Sequence, residues 1–290
     1  MQIVNTIDAL NRVSPPPGSP KVSTGFVPTM GALHQGHLSL IARSVKECDR
    51  TFSSVFVNPI QFNNASDLEK YPVRHKQDFE LLSQAGCDLV FSPEPGEMYP
   101  EKKSREEMFR EDLPGFDFEG LDTVMEGKYR PGHFEGVLVV VNRLFKLLRP
   151  SKSYFGKKDY QQLRVITKLA EQFFPEMEIV ACPTIREAHG LAMSSRNARL
   201  SPEGRIHAGK IFEILSEGKD HSRDVKTGEL KKFLLRRFEM AGGFNLEYLE
   251  VASLENLQPV AENLPPENAG IFVALEFEGV RLIDNLELVG

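Results

Sequence analysis

The sequence predicts an α/β fold, a parallel sheet with helices on both faces, followed by a smaller C-terminal α+β domain with an antiparallel sheet. Short apolar runs at 21–29, 52–57, 88–92, 153–156 and 177–183 alternate with helix-periodic segments, the pattern of a parallel sheet. After about residue 184 the order changes. Two helical segments, 202–217 and 226–241, come first, and three strand-like runs, FNLEYLEVAS, GIFVALEFEG and VRLIDNLEL, come after them. Helices grouped and then strands grouped read as α+β. The expected division is therefore 1–184 and 185–290.

Each element has its own warrant. A short helix at about 6–12 precedes PPPGSP, a loop by composition. KVSTGFVPT is a strand, and HLSLIARSVKEC carries apolar residues at 38, 40, 41 and 45, which suits a helix. FSSVFV ends at Asn58-Pro59, and a helix over about 74–85 stops at Gly86. DLVFS is the next strand. GVLVVVNRLFKLLR is a strongly apolar helix, SYFG a short strand, 159–174 a helix and MEIVACP a strand. Residues 101–112, EKKSREEMFRED, are nearly all charged and read as a solvated helix or loop, with a flap over a site as the alternative.

Composition narrows the function. The chain has 290 residues, 41% hydrophobic and 26% charged, enough for two modest domains with real cores. A net charge of -6 argues against a broad nucleic-acid surface but not against a local basic pocket. Cys48, Cys87 and Cys182 are odd in number and have no zinc or redox spacing, so they read as reduced, mostly buried thiols in a cytoplasmic protein. No signal peptide and no apolar run of membrane-spanning length is expected.

Five constellations stand out, and most of them sit at expected strand ends, where parallel sheets bind ligands. In PTMGALHQGHLSL, His34 and His37 lie three residues apart where a strand gives way to a helix. Helix starts attract phosphate, and imidazoles can donate to its oxygens. Helix-start residues of no special purpose, or zinc ligands, are the alternatives. Asn58 and Gln61, in SSVFVNPIQFNN, offer amides to a small polar substrate, or simply form an Asn-Pro turn. Asp78 reads as a surface charge, with a magnesium-bound water as the alternative. MEGKYRPGHFEGV presents Arg130 and His133. YFGKKDYQQLRVI presents Lys157, Lys158 and Asp159 ahead of Gln161 and Gln162. CPTIREAHGLAMSSRNARL presents Ser194, Ser195 and Arg196. Singly, each is as readily a solvated surface feature.

In order, the five stretches resemble the pantothenate synthetase (pantoate–β-alanine ligase) family over most of residues 20–200. PTMGALHQGHLSLI contains the H-x-G-H signature of the nucleotidylyltransferase superfamily, and MSSRN stands where class I aminoacyl-tRNA synthetases carry their lysine-serine loop. VNPIQF, RPGHFEGV and FGKKDYQQL are similar to this family alone. The resemblance implies a Rossmann-type domain with a C-terminal lid domain, usually dimeric. It implies ATP-dependent condensation of pantoate with β-alanine through a pantoyl adenylate, with Mg²⁺ arriving on ATP. It also implies roles. His34, His37, Lys158 and Arg196 carry the chemistry. Met30, Gly31, Ala32, Leu33, Gln35, Gly36, Gly156, Lys157, Asp159, Ile185, Met193, Ser194 and Ser195 complete the ATP site. Gln61, Gln162, Asn58, Arg130 and His133 serve the substrate. The metal ligands stay unassigned. His189 stands where the family usually has Asp, and 101–120 looks longer and more charged than usual. Another H-x-G-H nucleotidylyltransferase with a phosphorylated acceptor, or a silent nucleotide-binding relative, remains an alternative.

Overall fold

The computed structural model describes residues 1–13, 22–63, 65–101 and 103–288, so the proline-rich loop read at 15–20 lies outside the described residues. The chain begins with β1 (Gln2–Val4), α1 (Ile7–Val13), β2 (Thr24–Thr29), α2 (Gln35–Glu47) and β3 (Arg50–Val55). It continues with α3 (Ala65–Glu69), α4 (His75–Gln84), β4 (Leu89–Phe91), α5 (Pro95–Met98) and α6 (Arg105–Asp112). Next come α7 (Met125–Tyr129), α8 (His133–Leu148), β5 (Lys152–Gly156), α9 (Tyr160–Phe173) and β6 (Glu178–Cys182). The last elements are α10 (Pro202–Ala208), α11 (Lys210–His221), α12 (Thr227–Ala241), β7 (Asn245–Ser253), β8 (Ala269–Phe277) and β9 (Val280–Glu287). Two compact units result. One holds Met1–Phe118, Arg130–Lys157 and Gln162–Cys182; the other holds Glu119–Tyr129, Lys158–Gln161 and Pro183–Gly290. No described helix is long and apolar enough to cross a membrane.

The first unit is built on a parallel sheet of order β1-β4-β3-β2-β5-β6. Its inner strands are buried, and their hydroxyls are satisfied locally: Ser53 Oγ donates to Val27 O at 2.8 Å and Ser153 Oγ to Phe26 O at 3.2 Å. From β2 the chain steps outward to β3 and β4, then returns through α8 to place β5 on the other side of β2. β2 pairs with β3 along all six residues, from Thr24↔Arg50 to Thr29↔Val55, but with β5 only through Gly25↔Lys152 and Phe26↔Ser153. The carboxyl ends of β2 and β5 therefore part, which is the crevice geometry of a topological switch point.

The structure adds one strand to the five expected. β1 is a three-residue, mostly exposed edge paired with β4, too short to leave a periodic signal. The charged segment, read as a solvated helix or loop, contains a helix that is exposed or half-buried apart from one buried apolar residue. Ser104 and Glu107 form a capping box at the start of α6, and Met108 and Leu113 are buried. Arg143 of α8 donates to the Asp112 carboxylate and to Met98 O, both at 2.6 Å, and also pairs with Glu101.

In the second unit β7, β8 and β9 form an antiparallel sheet. Its core joins Leu215, Leu230 and Leu234 from the helices to Val251, Ile271 and Leu275 from the strands. The helix expected over 202–217 is divided at Gly209. A Cβ there would lie 2.1 Å from His189 O, so the chain approaches the preceding loop too closely for a side chain.

Candidate active site

The turn after β2 is held by side chains at every step. Thr29 Oγ1 accepts the Gly31 amide at 3.2 Å, and Asp78 accepts the amides of Ala32 at 3.0 Å and Leu33 at 2.8 Å. Gly31 and Ala32 both have positive φ, 82° and 49°, a conformation that costs a non-glycine residue about 1–2 kcal/mol. The two bonds to Asp78 hold Ala32 there. Asp78 is 1% exposed, so its reading as a surface charge is corrected: the carboxylate is an internal anchor.

His34 is the N-cap of α2. Its Nδ1 accepts the Gly36 amide at 3.1 Å, while His37 Nδ1 accepts the His34 amide at 3.4 Å. The rings lie 4.1 Å apart, centroid to centroid. A ring nitrogen that accepts carries no proton, so each neutral imidazole bears its proton on Nε2. The amides of Gly31, Ala32, Leu33, His34 and Gly36 are thus engaged by side chains. Met30 and Leu33 are half-buried on either side of Gly31 and Ala32, and Gln35 is exposed in the first turn.

A buried amide pair stands beside this turn. Asn58 Nδ2 donates to Gln61 Oε1 at 2.9 Å and to Gly136 O at 3.1 Å, and Tyr99 Oη donates to Asn58 Oδ1 at 2.7 Å. Gln61 Nε2 donates to the Met30 thioether at 3.1 Å, which ties the pair to the histidine turn. His133, the first residue of α8, approaches Gln61 O through Nδ1 at 2.9 Å; because a carbonyl only accepts, Nδ1 carries the proton. Gly136 lets α8 come this close: a Cβ there would sit 2.5 Å from Ile60 O. Burial pushes the Tyr99 hydroxyl well above its ordinary pKa. Arg130 is half-buried just before α8, and its carbonyl accepts the His133 amide at 3.0 Å.

At the end of β5, nothing lies within 4 Å of where a Gly156 Cβ would point. Lys157 follows it, and the half-buried Gln162 lies in the first turn of α9. Its neighbour Gln161 is structural: Nε2 donates to Leu121 O at 2.6 Å and Val124 O at 2.9 Å.

In the second unit, residues 185–193 form a hairpin in which Met193 donates to Ile185 O at 3.0 Å and Glu187 to Leu191 O at 2.8 Å. Ser194 caps the 3₁₀ turn Ser195–Arg199 by accepting the Arg196 amide at 3.3 Å. Glu187 receives Asn197 Nδ2 at 2.9 Å and Arg205 Nη2 at 2.7 Å. His189 Nε2 lies 3.6 Å from the same carboxylate, beyond hydrogen-bond reach. Arg186 makes two bonds to Asp284, at 2.6 and 2.9 Å, and its guanidinium lies 3.8 Å from the Phe212 ring centroid. The next residue, Asn285, donates to Lys158 O at 2.8 Å, while Lys158 Nζ is 3.6 Å from Asp159 Oδ1. Consecutive residues of β9 therefore hold both the hairpin and the lysine turn. The sequence reading missed Asp284 and Asn285, as it missed Tyr99.

Known proteins share this architecture. The sequence profile of the Pantoate-beta-alanine ligase family matches residues 2–287. A pantothenate synthetase of Cytophaga hutchinsonii is 42% identical, covering 92% of each chain, and one of Phocaeicola vulgatus is 41% identical over the whole of both. The crystal structure of pantothenate synthetase from Thermus thermophilus superposes with a TM-score of 0.87 at 37% identity, covering 100% of each chain. Pantoate-beta-alanine ligase from Francisella tularensis, complexed with beta-gamma ATP and beta-alanine, gives 0.76 at 34% identity, covering 100% of this chain and 99% of its own. The chain belongs to the pantoate–β-alanine ligase family of enzymes.

Proposed function

We propose that the chain joins (R)-pantoate to β-alanine at the expense of ATP. A pantoate carboxylate oxygen attacks the α-phosphorus, the bond to the bridging oxygen breaks, and pyrophosphate leaves behind a pantoyl adenylate. The β-alanine amine then attacks the acyl carbon and AMP departs. The observation that carries this reading is the turn at 29–37, whose backbone commits both Nδ1 atoms and so turns two Nε2–H groups to the role of donors. The ATP and β-alanine held by the Francisella tularensis relative support the same substrates here.

Negative charge grows on phosphoryl oxygens in the first step, and fixed donors that meet it lower the barrier. We assign that role to His34, His37, Lys158, Ser195 and Arg196, with His37 as proton donor to the departing pyrophosphate. Gln61 and Gln162 hold pantoate, backed by Asn58 and His133, with Arg130 as a further anionic-substrate contact. The second step needs little more than an amine held against an activated acyl group, and positioning of that kind contributes roughly 7–11 kcal/mol.

Among the described residues no three His, Cys, Asp or Glu side chains are grouped as a metal would require, and both Asp78 oxygens receive amides. A magnesium ion would then arrive with the nucleotide, and when bound it would supply positive charge at the phosphates. A homodimer and a cytoplasmic setting belong to the same reading; sedimentation of the purified chain tests the first.

Exchange of labelled pyrophosphate into ATP is the deciding experiment. It should require pantoate and proceed without β-alanine. Equal exchange in the absence of pantoate would overturn the reading.

A further inference from the structure

We infer that Tyr99, together with the Gly136 carbonyl and acting through Asn58, fixes which end of the Gln61 amide faces the substrate, so that Gln61 recognises an acceptor atom of the hydroxy acid. The inference rests on the proposed role of Gln61 as a pantoate ligand.

The Gly136 carbonyl can only accept, and it receives Asn58 Nδ2 at 3.1 Å. The nitrogen of the Asn58 amide therefore lies on that side. The same Nδ2 donates to Gln61 Oε1 at 2.9 Å, which turns the Gln61 oxygen inward and its Nε2 outward. Tyr99 closes the arrangement by donating to Asn58 Oδ1 at 2.7 Å. A flipped Asn58 would set its oxygen against the Gly136 carbonyl and the Gln61 oxygen, and Asn58 is 1% exposed, with no bulk water to repair the loss.

The outward Nε2 meets the Met30 thioether at 3.1 Å, a weak acceptor. A carboxylate or hydroxyl oxygen is a stronger one, so a ligand offering such an atom exchanges a poor bond for a good one. A ligand offering a donor at that position meets N–H against N–H. Burial keeps the Tyr99 hydroxyl protonated, and therefore a donor. The ring itself is held independently, by Phe56 at 6.1 Å between centroids and by the Arg143 guanidinium 5.0 Å from its centre, so Tyr99→Phe deletes the hydroxyl and keeps the packing.

The test is pantoate-dependent pyrophosphate exchange with the full chain, comparing Tyr99→Phe, Gln61→Ala and the double variant. Tyr99→Phe should raise the pantoate KM about tenfold and leave the ATP KM within about twofold. In the Gln61→Ala background the same change should add less than about twofold, because its effect passes through Gln61. An unchanged pantoate KM, a parallel rise for both substrates, or an equal effect with and without Gln61 would each overturn the inference while leaving the proposed reaction standing. Absence of pantoate-dependent exchange in the unaltered chain sinks the reaction and the inference together. Should Tyr99→Phe lose its cooperative thermal transition, Asn58→Leu, which also frees the Gln61 amide, serves in the same comparison with the same outcomes.

Discussion

The Asp78 carboxylate receives the backbone N–H of Leu33 at 2.8 Å, so a residue on α4 holds the turn that carries the two histidines. Its other oxygen takes the Ala32 amide at 3.0 Å, and Ala32 is the residue at positive φ. Asp78→Asn replaces one acceptor by an NH₂ that faces an amide N–H. We expect a stability loss of about 2–3 kcal/mol and a fall in the pyrophosphate-exchange kcat of about tenfold or more, with the pantoate KM little changed. Thermal melts and exchange kinetics check the two parts separately. A melt like that of the unaltered chain would contradict the anchoring role.

Gly136 sits where α8 meets the turn Pro59–Gln61. A Cβ there would lie 2.5 Å from Ile60 O and 2.8 Å from Gln61 Cα, both backbone atoms with no rotamer to yield. Gly136→Ala should therefore destabilise the first unit by roughly 1–3 kcal/mol and displace Gln61, raising the pantoate KM. Urea unfolding and substrate titration measure the two effects. Gly156→Ala is the control for the unfolding measurement, since nothing lies within 4 Å of that Cβ position.

These residues mark what the sequence made legible. The strand–helix alternation was readable because short runs holding apolar residues alternate with helix-periodic segments, and α8 because ten of its sixteen residues are apolar. The histidine turn was readable because strand, glycine, histidine pair and helix follow one another directly. Asp78 was not, since a lone Asp in a polar helix looks solvated and its partners lie 46 and 45 residues away. Tyr99, Asp284 and Asn285 escaped for the same reason: they act through partners far off in sequence. α6 did leave a signal, Ser104 followed by Glu107, which is a capping-box pattern hidden among charges. At Gly209, where the expected helix divides, a side chain would meet His189 O, a contact that lies outside the helix and leaves no local signal.

β9 offers a third prediction. Asp284 is nearly buried and Arg186 supplies both of its bonds to a cation. Arg186→Met strands that carboxylate, and removing one partner of a buried pair costs about 3–5 kcal/mol. Arg186→Lys keeps the charge but loses the two-pronged geometry, so its cost should fall between. Limited proteolysis across 186–196 should quicken in the same order, Met before Lys. Asn285→Ala removes the contact to Lys158 O and should raise the ATP KM without exposing that loop; equal proteolysis in all three variants would contradict the division of labour.

Cys87 makes the stability of the fold fall at alkaline pH. Burial pushes its thiol up from an ordinary value of 9.0 to about 12. Folding therefore favours the protonated thiol. Its contribution is fully present below about pH 9 and is lost as the pH rises through about 12, because the unfolded chain ionises first. At pH 10 the loss amounts to about 1.4 kcal/mol from this group. Comparing the chain with Cys87→Ala isolates it: the drop in unfolding free energy between pH 7 and pH 10 should be smaller in the variant by about that amount. Alkylation at pH 8 should agree, with Cys87 modified only after denaturant is added. Identical pH slopes for the two proteins would show that the thiol ionises in the folded chain as readily as in the unfolded one.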